Sequence, residues 1–382
     1  MDYIEIIRIR RRFIPYLTDD LKDQNTRNAI LSYLKTLNQE RLTISSYKKE
    51  VIVHISSFTK KEHLIAYRAN MSALPKESIE ELNHKSMKKG VRQAFGYDIH
   101  LTIALGLITE ILESNLDHQF LFIFQSNNHD SINGLLKSKQ MKQYQIDEIY
   151  SLQFDPELNA NQLLISPGVR YSYCREIKIE ITTRQNPFIK KHPELLKFEP
   201  VKRSTELIVK LQSLLKEITR ENDVVLSFCN IQSTLLEEHS TKMVILEGTI
   251  RAFDSEVIKT LKVKIETVIE KLMNAYNSKI HISYGLYYPR VYNHEELAHT
   301  LNTYYSRKME YQLVTKAPYL YGNDFGFYTN KFNGLLITIG IKSKYPLLEN
   351  PTLLSNEIII QKSLRLFHFY LIHRVNELGN HL

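Results

Sequence analysis

Apolar positions along the chain switch between two periods. "NTRNAILSYLKTL" places Ile30, Tyr33 and Leu34 on one helical face, and "VIVHIS" and "HLIAYRA" read as strands. "RQAFGYDIHLTIALG" enters a helix through a glycine turn, with Asp98 as its cap and Leu101, Ala104, Leu105 and Ile108 at helical spacing as it runs to about Glu113. "QFLFIFQ" is a buried strand, "DSINGLLKS" a helix, and "IDEIYSLQF" contains another strand. Such alternation predicts a largely parallel sheet covered by helices.

The middle of the chain changes character. "REIKIEITT" alternates apolar and polar positions, "RSTELIVKLQSLLKEI" is helical, and "DVVLSFCNIQ" and "KMVILEGTIRAF" are strands. A long helix, capped by Asp254, and the strand "KIHISYGLYY" complete a β-α-β-β-α-β order, the ferredoxin-like unit. The α/β pattern then resumes with "HEELAHTLNTYYSRK", "GLLITIGIK" and a last helix over about 357–378. The fold class expected is therefore α/β: a larger domain from 1–169 plus 286–382, interrupted by a βαββαβ insertion over 170–285.

Composition narrows the function classes. The 382 residues are too many for most single cores. The longest apolar runs are too short to span a bilayer, and "MDYIEIIRIRRRF" lacks the order of a signal peptide, so a cytoplasmic protein is expected. Cys174 and Cys229 read as reduced core residues. The net charge of +8 is spread over clusters such as "RIRRRF" and "HKSMKKGVR" with no nucleic-acid-binding signature, so these read as solvated surface. Neither a G-x-S-x-G elbow nor a P-loop is present, and "HEELAH" has one residue too many for an H-E-x-x-H zinc motif.

Four local motifs carry a resemblance. "AYRANMSALP" (66–75) follows the pattern R-A-D-x-D-A-L-P, "FIFQ" precedes a helix, "LEGTIRAFD" spans 246–254, and "YGNDFGFY" (321–328) follows G-x-E-D-F-x-x-Y. In this order around a βαββαβ insertion, they resemble the co-catalytic zinc amidohydrolases: aminoacylases, hippurate hydrolases and N-acetyldiaminopimelate deacetylases. The resemblance implies a metallopeptidase-like α/β domain with an inserted lid and dimerisation domain. It also implies two zinc ions and hydrolysis of linear amides.

The positions of the metal ligands depart from that pattern. Where the family reads H-A-C-G-H-D, this chain has Phe95 for the cysteine and Tyr97 for the histidine. Asn128 replaces the general-base glutamate and His129 the neighbouring ligand. Gln153 replaces a ligand histidine, Thr352 the last one, and Pro187 the insertion domain's histidine. Two dications roughly 3.5–4 Å apart repel by an amount on the order of 20 kcal/mol at an effective dielectric near 20. Anionic ligands must offset that repulsion. A phenyl ring, amides and a hydroxyl do not, and an amide cannot act as a general base.

The expectation is thus a catalytically inactive homologue without a bound metal pair. It would bind a small acyl-amino acid or peptide, or pair with a protein partner: a second copy of itself or an active paralogue. Asp98, His100, His129, Arg251 and Asp324 are the candidate ligand-binding residues. Arg251 suits a carboxylate, against the alternative of a strand-end ion pair. Asp324 reads as a turn and helix-start residue. The alternative is an active deacylase whose site is rebuilt around His129, His100 and Asp98.

Overall fold

The computed structural model describes residues 3–13, 25–37, 39–59, 62–71, 97–114, 116–126, 129–183, 199–219, 223–235, 241–276, 278–308, 310–342 and 358–380. The chain divides into two compact units: Met1–Gly168 with Tyr292–Lys316 and Lys331–Leu382, and Val169–Val291 with Ala317–Asn330. The segment Ala317–Asn330, which sequence reading left in the larger domain, groups with the second unit.

In the first unit come α1 (Tyr3–Phe13), α2 (Asn25–Leu37), β1 (Leu42–Tyr47), β2 (Glu50–Ile55), β3 (Leu64–Asn70) and α3 (Tyr97–Glu113). They are followed by β4 (Gln119–Gln125), α4 (His129–Lys137), α5 (Lys139–Lys142), β5 (Glu148–Asp155) and β6 (Gln162–Leu164), after which β7 (Gly168–Tyr171) begins at the last residue of this stretch and falls otherwise in the second unit. The second unit is built from β8 (Tyr173–Thr183), α6 (Glu199–Ile218), β9 (Val224–Leu235), β10 (Thr241–Ala252), α7 (Ser255–Tyr276) and β11 (Ser278–Tyr288). After them run β12 (Val291–Asn293), α8 (Glu295–Ser306), β13 (Gln312–Val314), α9 (Gly326–Thr329), β14 (Asn333–Gly340) and α10 (Ile358–Asn380).

The large sheet has the order β1-β2-β4-β3-β5-β14-β6-β13. Only part of it is as parallel as expected: β4, β3, β5 and β14 run parallel, as do β6 and β13, whereas β1 with β2, β2 with β4, and β14 with β6 pair antiparallel. The cause is local. β1 and β2 are joined by a tight turn containing Lys48 at φ 52°, so β2 must enter the sheet reversed. Every residue of β3 is buried, as are the last six of β4, so their near-continuous apolar runs fit strands covered on both faces. Helix α3 is apolar nearly all round, with Ile99, Leu101, Ile103, Ala104, Leu105, Leu107, Ile108 and Ile111 all in the core. It packs against α1 and α10.

The second unit is a four-stranded antiparallel sheet in the order β11-β8-β10-β9. Alternate residues Ile177, Ile179 and Ile181 of β8 and Val244, Leu246 and Ile250 of β10 join Leu207, Leu211, Leu261 and Ile265 of the two helices in one core. Asp254 accepts a hydrogen bond from the Glu256 amide at 2.9 Å, as expected of a cap. The pairing of β9 with β10 shifts between Glu247 and Gly248, where a Cβ on Gly248 would lie 2.0 Å from the Ser227 carbonyl oxygen. That close approach requires glycine. Cys174 is buried, but Cys229 on β9 is exposed, which corrects its reading as a core residue.

Candidate functional site

Parallel strands gather loops and helix starts at their C-terminal edge, where α/β sheets hold their ligands. In the first unit this edge carries Asn70 at the end of β3, Gln125 and Ser126 at the end of β4, and Gln153 and Asp155 on β5. Because β3 and β4 run parallel on either side of α3 in sequence, α3 begins at the same edge. Helix α4, opening at His129, begins just after β4.

Asp98 is the second residue of α3 and 1% exposed. It does more than cap the helix. Its Oδ2 lies 2.7 Å from Arg10 Nε of α1, and its carbonyl accepts the Thr102 hydroxyl at 2.7 Å. Its Oδ1 has no hydrogen-bond partner among the described residues. Arg10, part of the "RIRRRF" cluster read as solvated, is 4% exposed. Its helical neighbours Ile6, Ile9 and Phe13 are core residues too. That i, i+3, i+4, i+7 stripe was the available signal that this arginine points inward.

His100, two residues further along α3, is buried edge-on against Phe154, with ring centroids 5.1 Å apart. Burial, aided by the nearby Arg68 charge, lowers its pKa to about 3. A ring so reluctant to take a proton is a poor general base at neutral pH. Arg68, buried on β3, donates from Nε to Gln125 Oε1 at 3.0 Å, and its carbonyl accepts the Ser151 hydroxyl at 3.0 Å. Glu50 at the start of β2 is fully buried, and its Oε1 accepts the Ser126 hydroxyl at 2.5 Å. Sequence reading missed Glu50 because one acid opening a hairpin strand has no periodic signature.

Gln153 is half-buried on β5 opposite Thr338 of β14, with its amide 3.5 Å from the Phe154 carbonyl. Tyr97 and His129 are the first residues of α3 and α4. Phe95, Asn128, Pro187 and Thr352 lie outside the described residues. No group of three or more histidine, cysteine, aspartate and glutamate side chains among the described residues is placed to hold a metal ion. The carboxylate of Asp98 is engaged by a guanidinium, and Asn70 and Gln153 offer neutral amides.

In the second unit, no acid among the described residues makes the strand-end ion pair weighed above for Arg251. Its Nε donates to Thr249 Oγ1 and its Nη1 to the Leu320 carbonyl, both at 3.2 Å. Asp324 begins the turn into α9, its carbonyl accepting the Phe327 amide at 3.2 Å. The side chain that caps this turn belongs to its neighbour Asn323, whose Oδ1 accepts the Phe325 amide at 2.9 Å.

No protein-family model matches the chain. Curated relatives do. It is 27% identical over 369 residues to an N-acetyldiaminopimelate deacetylase of Brevibacillus brevis, covering 95% of this chain and 96% of that protein. It is also 27% identical over 380 residues to the enzyme of that name from Anoxybacillus flavithermus, covering 98% of each. Among solved structures, a Bacillus subtilis dinuclear metal-binding peptidase of the M20 family superposes with a TM-score of 0.72 at 19% identity, over 96% of this chain and 97% of that one. Over nearly its whole length the chain is similar to proteins of the amidohydrolase/metallopeptidase family. A protein of methicillin-resistant Staphylococcus aureus, provisionally described as an aminohydrolase, shares the fold with a TM-score of 0.82 at 17% identity, over 98% of this chain and 97% of that one. The chain thus shares the fold of these proteins over nearly its whole length. No helix among its described residues is long and apolar enough to cross a membrane.

Proposed function

We propose that this family member is a catalytically inactive homologue of the N-acyl-amino-acid amidohydrolases that works by binding a small N-acyl amino acid or peptide through its carboxylate. The observation that carries the reading is the Arg10–Asp98 ion pair: at the edge where the family's metal chemistry is expected, the buried carboxylate faces a fixed guanidinium. A cation resident in the fold leaves a second, divalent one with little attraction to the same carboxylate. The polar groups beside it are amides and hydroxyls, which orient a ligand but do not activate water. Protein partnership belongs to the same reading, as a homodimer through the insertion's sheet or a pair with an active paralogue.

The test is metal quantification on purified protein, followed by calorimetry with N-acyl amino acids in chelator. Binding without metal and without turnover is the expected result. A second reading, an active deacylase with a rebuilt site around His129, His100 and Asp98, is favoured by the full-length similarity to proteins named deacetylases. Chelator-sensitive hydrolysis together with about two bound zinc ions would establish that reading instead.

A further inference from the structure

We propose that the outward stripes of α1 and α10 form a docking surface for an anionic lipid bilayer, with Arg8, Lys362 and Arg365 meeting the headgroups and Ile4 and Phe369 entering the interface. The surface lies on the first unit and is independent of the binding of N-acyl amino acids.

The placement follows from α3. That helix is buried on all sides, and α1 and α10 are the helices laid over it. Arg10 of α1 reaches Asp98 at its start, Leu364 of α10 lies against Gly106, and His368 of α10 meets Glu110 at 3.2 Å near its end. The two covering helices also touch each other. They form an outer layer whose far side meets solvent.

That far side has the same composition on both helices. On α1, Ile6, Ile9, Arg10 and Phe13 are buried, which turns Ile4, Arg8 and Arg11 outward at i, i+4 and i+7. On α10, Leu364, Phe367 and Leu371 are buried, which turns Lys362, Arg365 and Phe369 outward at i, i+3 and i+7. Ile4 is 60% exposed and Phe369 56%. A lone exposed apolar side chain means little. Two of them, each on a stripe with two cations, repeat the pattern of a helix that rests on a membrane interface.

The cations are available. Among the described residues no acid forms an ion pair with Arg8, Lys362 or Arg365. Glu110 is engaged by His368, and Glu5 and Glu113 act on Tyr33 of α2. Glu310 acts on Tyr311 as Arg365 does, so one acid borders the stripe without pairing with it. The backbone beneath is fixed: the Tyr305 hydroxyl donates to the Leu366 carbonyl at 2.5 Å and the Tyr311 hydroxyl to that of Lys362 at 3.4 Å. A nucleic acid or an acidic protein would reward the cations alone. The isoleucine and phenylalanine are rewarded by an acyl-chain boundary. Because the apolar faces of both helices are already spent in the core, only these tips enter, and the contact is peripheral and reversible.

The test is co-sedimentation of the full chain with phosphatidylcholine vesicles, with and without phosphatidylserine, over a range of salt. Binding is expected only with phosphatidylserine and should weaken as salt rises. Arg8→Gln and Arg365→Gln should each lower the affinity about five-fold, the effect of one basic side chain at an anionic surface. Phe369→Ser should lower it as well, while leaving the steepness of the salt dependence unchanged. Unchanged melting temperatures in the three variants exclude a folding defect. Absence of vesicle binding, equal binding to both vesicle types, or indifference to Phe369→Ser overturns the proposal. So does binding of a single-stranded oligonucleotide that both arginine variants weaken when vesicles are not bound, which would assign the stripes to a nucleic acid.

Discussion

Arg10 Nε and Asp98 Oδ2 meet at 2.7 Å, joining the N-terminal helix to the first turn of α3 inside the core. Removing only the cation strands a buried carboxylate. Arg10→Met is expected to cost about 3–5 kcal/mol, seen as a lower urea midpoint. The double variant Arg10→Met with Asp98→Leu should recover most of that loss, because an apolar pair of similar volume replaces two desolvated charges. A double variant no more stable than Arg10→Met would show that the two residues are not coupled.

His100 gives a pH dependence of defined sign. Its folded pKa, near 3, lies below the ordinary value of 6.5, so the unfolded chain takes up the proton more readily. The stability due to neutral burial is therefore complete above pH 6.5 and is lost as pH falls toward 3, by about 2 kcal/mol at pH 5. NMR should show a His100 ring that does not titrate between pH 5 and 8. His100→Phe should flatten this part of the stability profile.

Glu148, at the start of β5, behaves oppositely in cause but not in sign. Burial pushes its pKa up, but hydrogen bonds from His63 and Arg374, the Arg374 charge and the Tyr150 hydroxyl more than offset this and bring it from 4.5 to about 2. Its contribution is present above pH 4.5 and lost as pH falls through 2, on the order of 3 kcal/mol in all. Arg374 reaches it from α10 at 2.5 Å, so acid unfolding should release the C-terminal helix. Glu148→Gln is expected to be less stable than wild type at pH 7 and to show a shallower acid limb in circular dichroism.

Self-association is expected through β9. This strand lies at the edge of the second sheet, is twelve residues long, and leaves Ile231 59% exposed. Unpaired edge strands invite pairing with another copy. Light scattering at micromolar concentration should report a dimer, and Gln232→Pro or Ile231→Lys should shift it toward monomer. A wild-type monomer, or a dimer indifferent to both changes, would sink the idea.

Restoration of ligands offers a last check. Asn128→Glu alone should recover no hydrolysis. Restoring Phe95→Cys, Tyr97→His, Asn128→Glu, His129→Glu and Gln153→His together should recover zinc binding only when Arg10→Met is added, since Arg10 otherwise keeps the adjacent carboxylate neutralised. Stoichiometric zinc in the five-fold variant with Arg10 intact would refute this role for the arginine.

The long elements were legible because their apolar periods are long. Helix α2 runs over the residues read from "NTRNAILSYLKTL", and the six elements of the insertion's βαββαβ order all appear. Of the strands missed, β6, β7, β12 and β13 have three or four residues, too few to show a period, and the six-residue β1, "LTISSY", has no buried residue to set one. Helix α1 was hidden behind its charge: "RIRRRF" looks like solvated surface until Arg10 is seen to need Asp98, 88 residues away. Glu50 was invisible for a related reason, since what it touches is decided by pairing between distant strands.

The parallel pairing of β5 with β14 has a consequence for how the chain is made. Each residue of Glu148–Asp155 awaits a partner about 185 positions later, in Asn333–Gly340. The second unit's four-stranded sheet, by contrast, closes entirely within 173–288. On a ribosome the insertion can form its core while the first unit still has an open sheet edge at β5, apolar and unpaired. The slow, non-local step is the arrival of β14, and until then the nascent protein depends on chaperones or on fast synthesis to keep that edge from other chains.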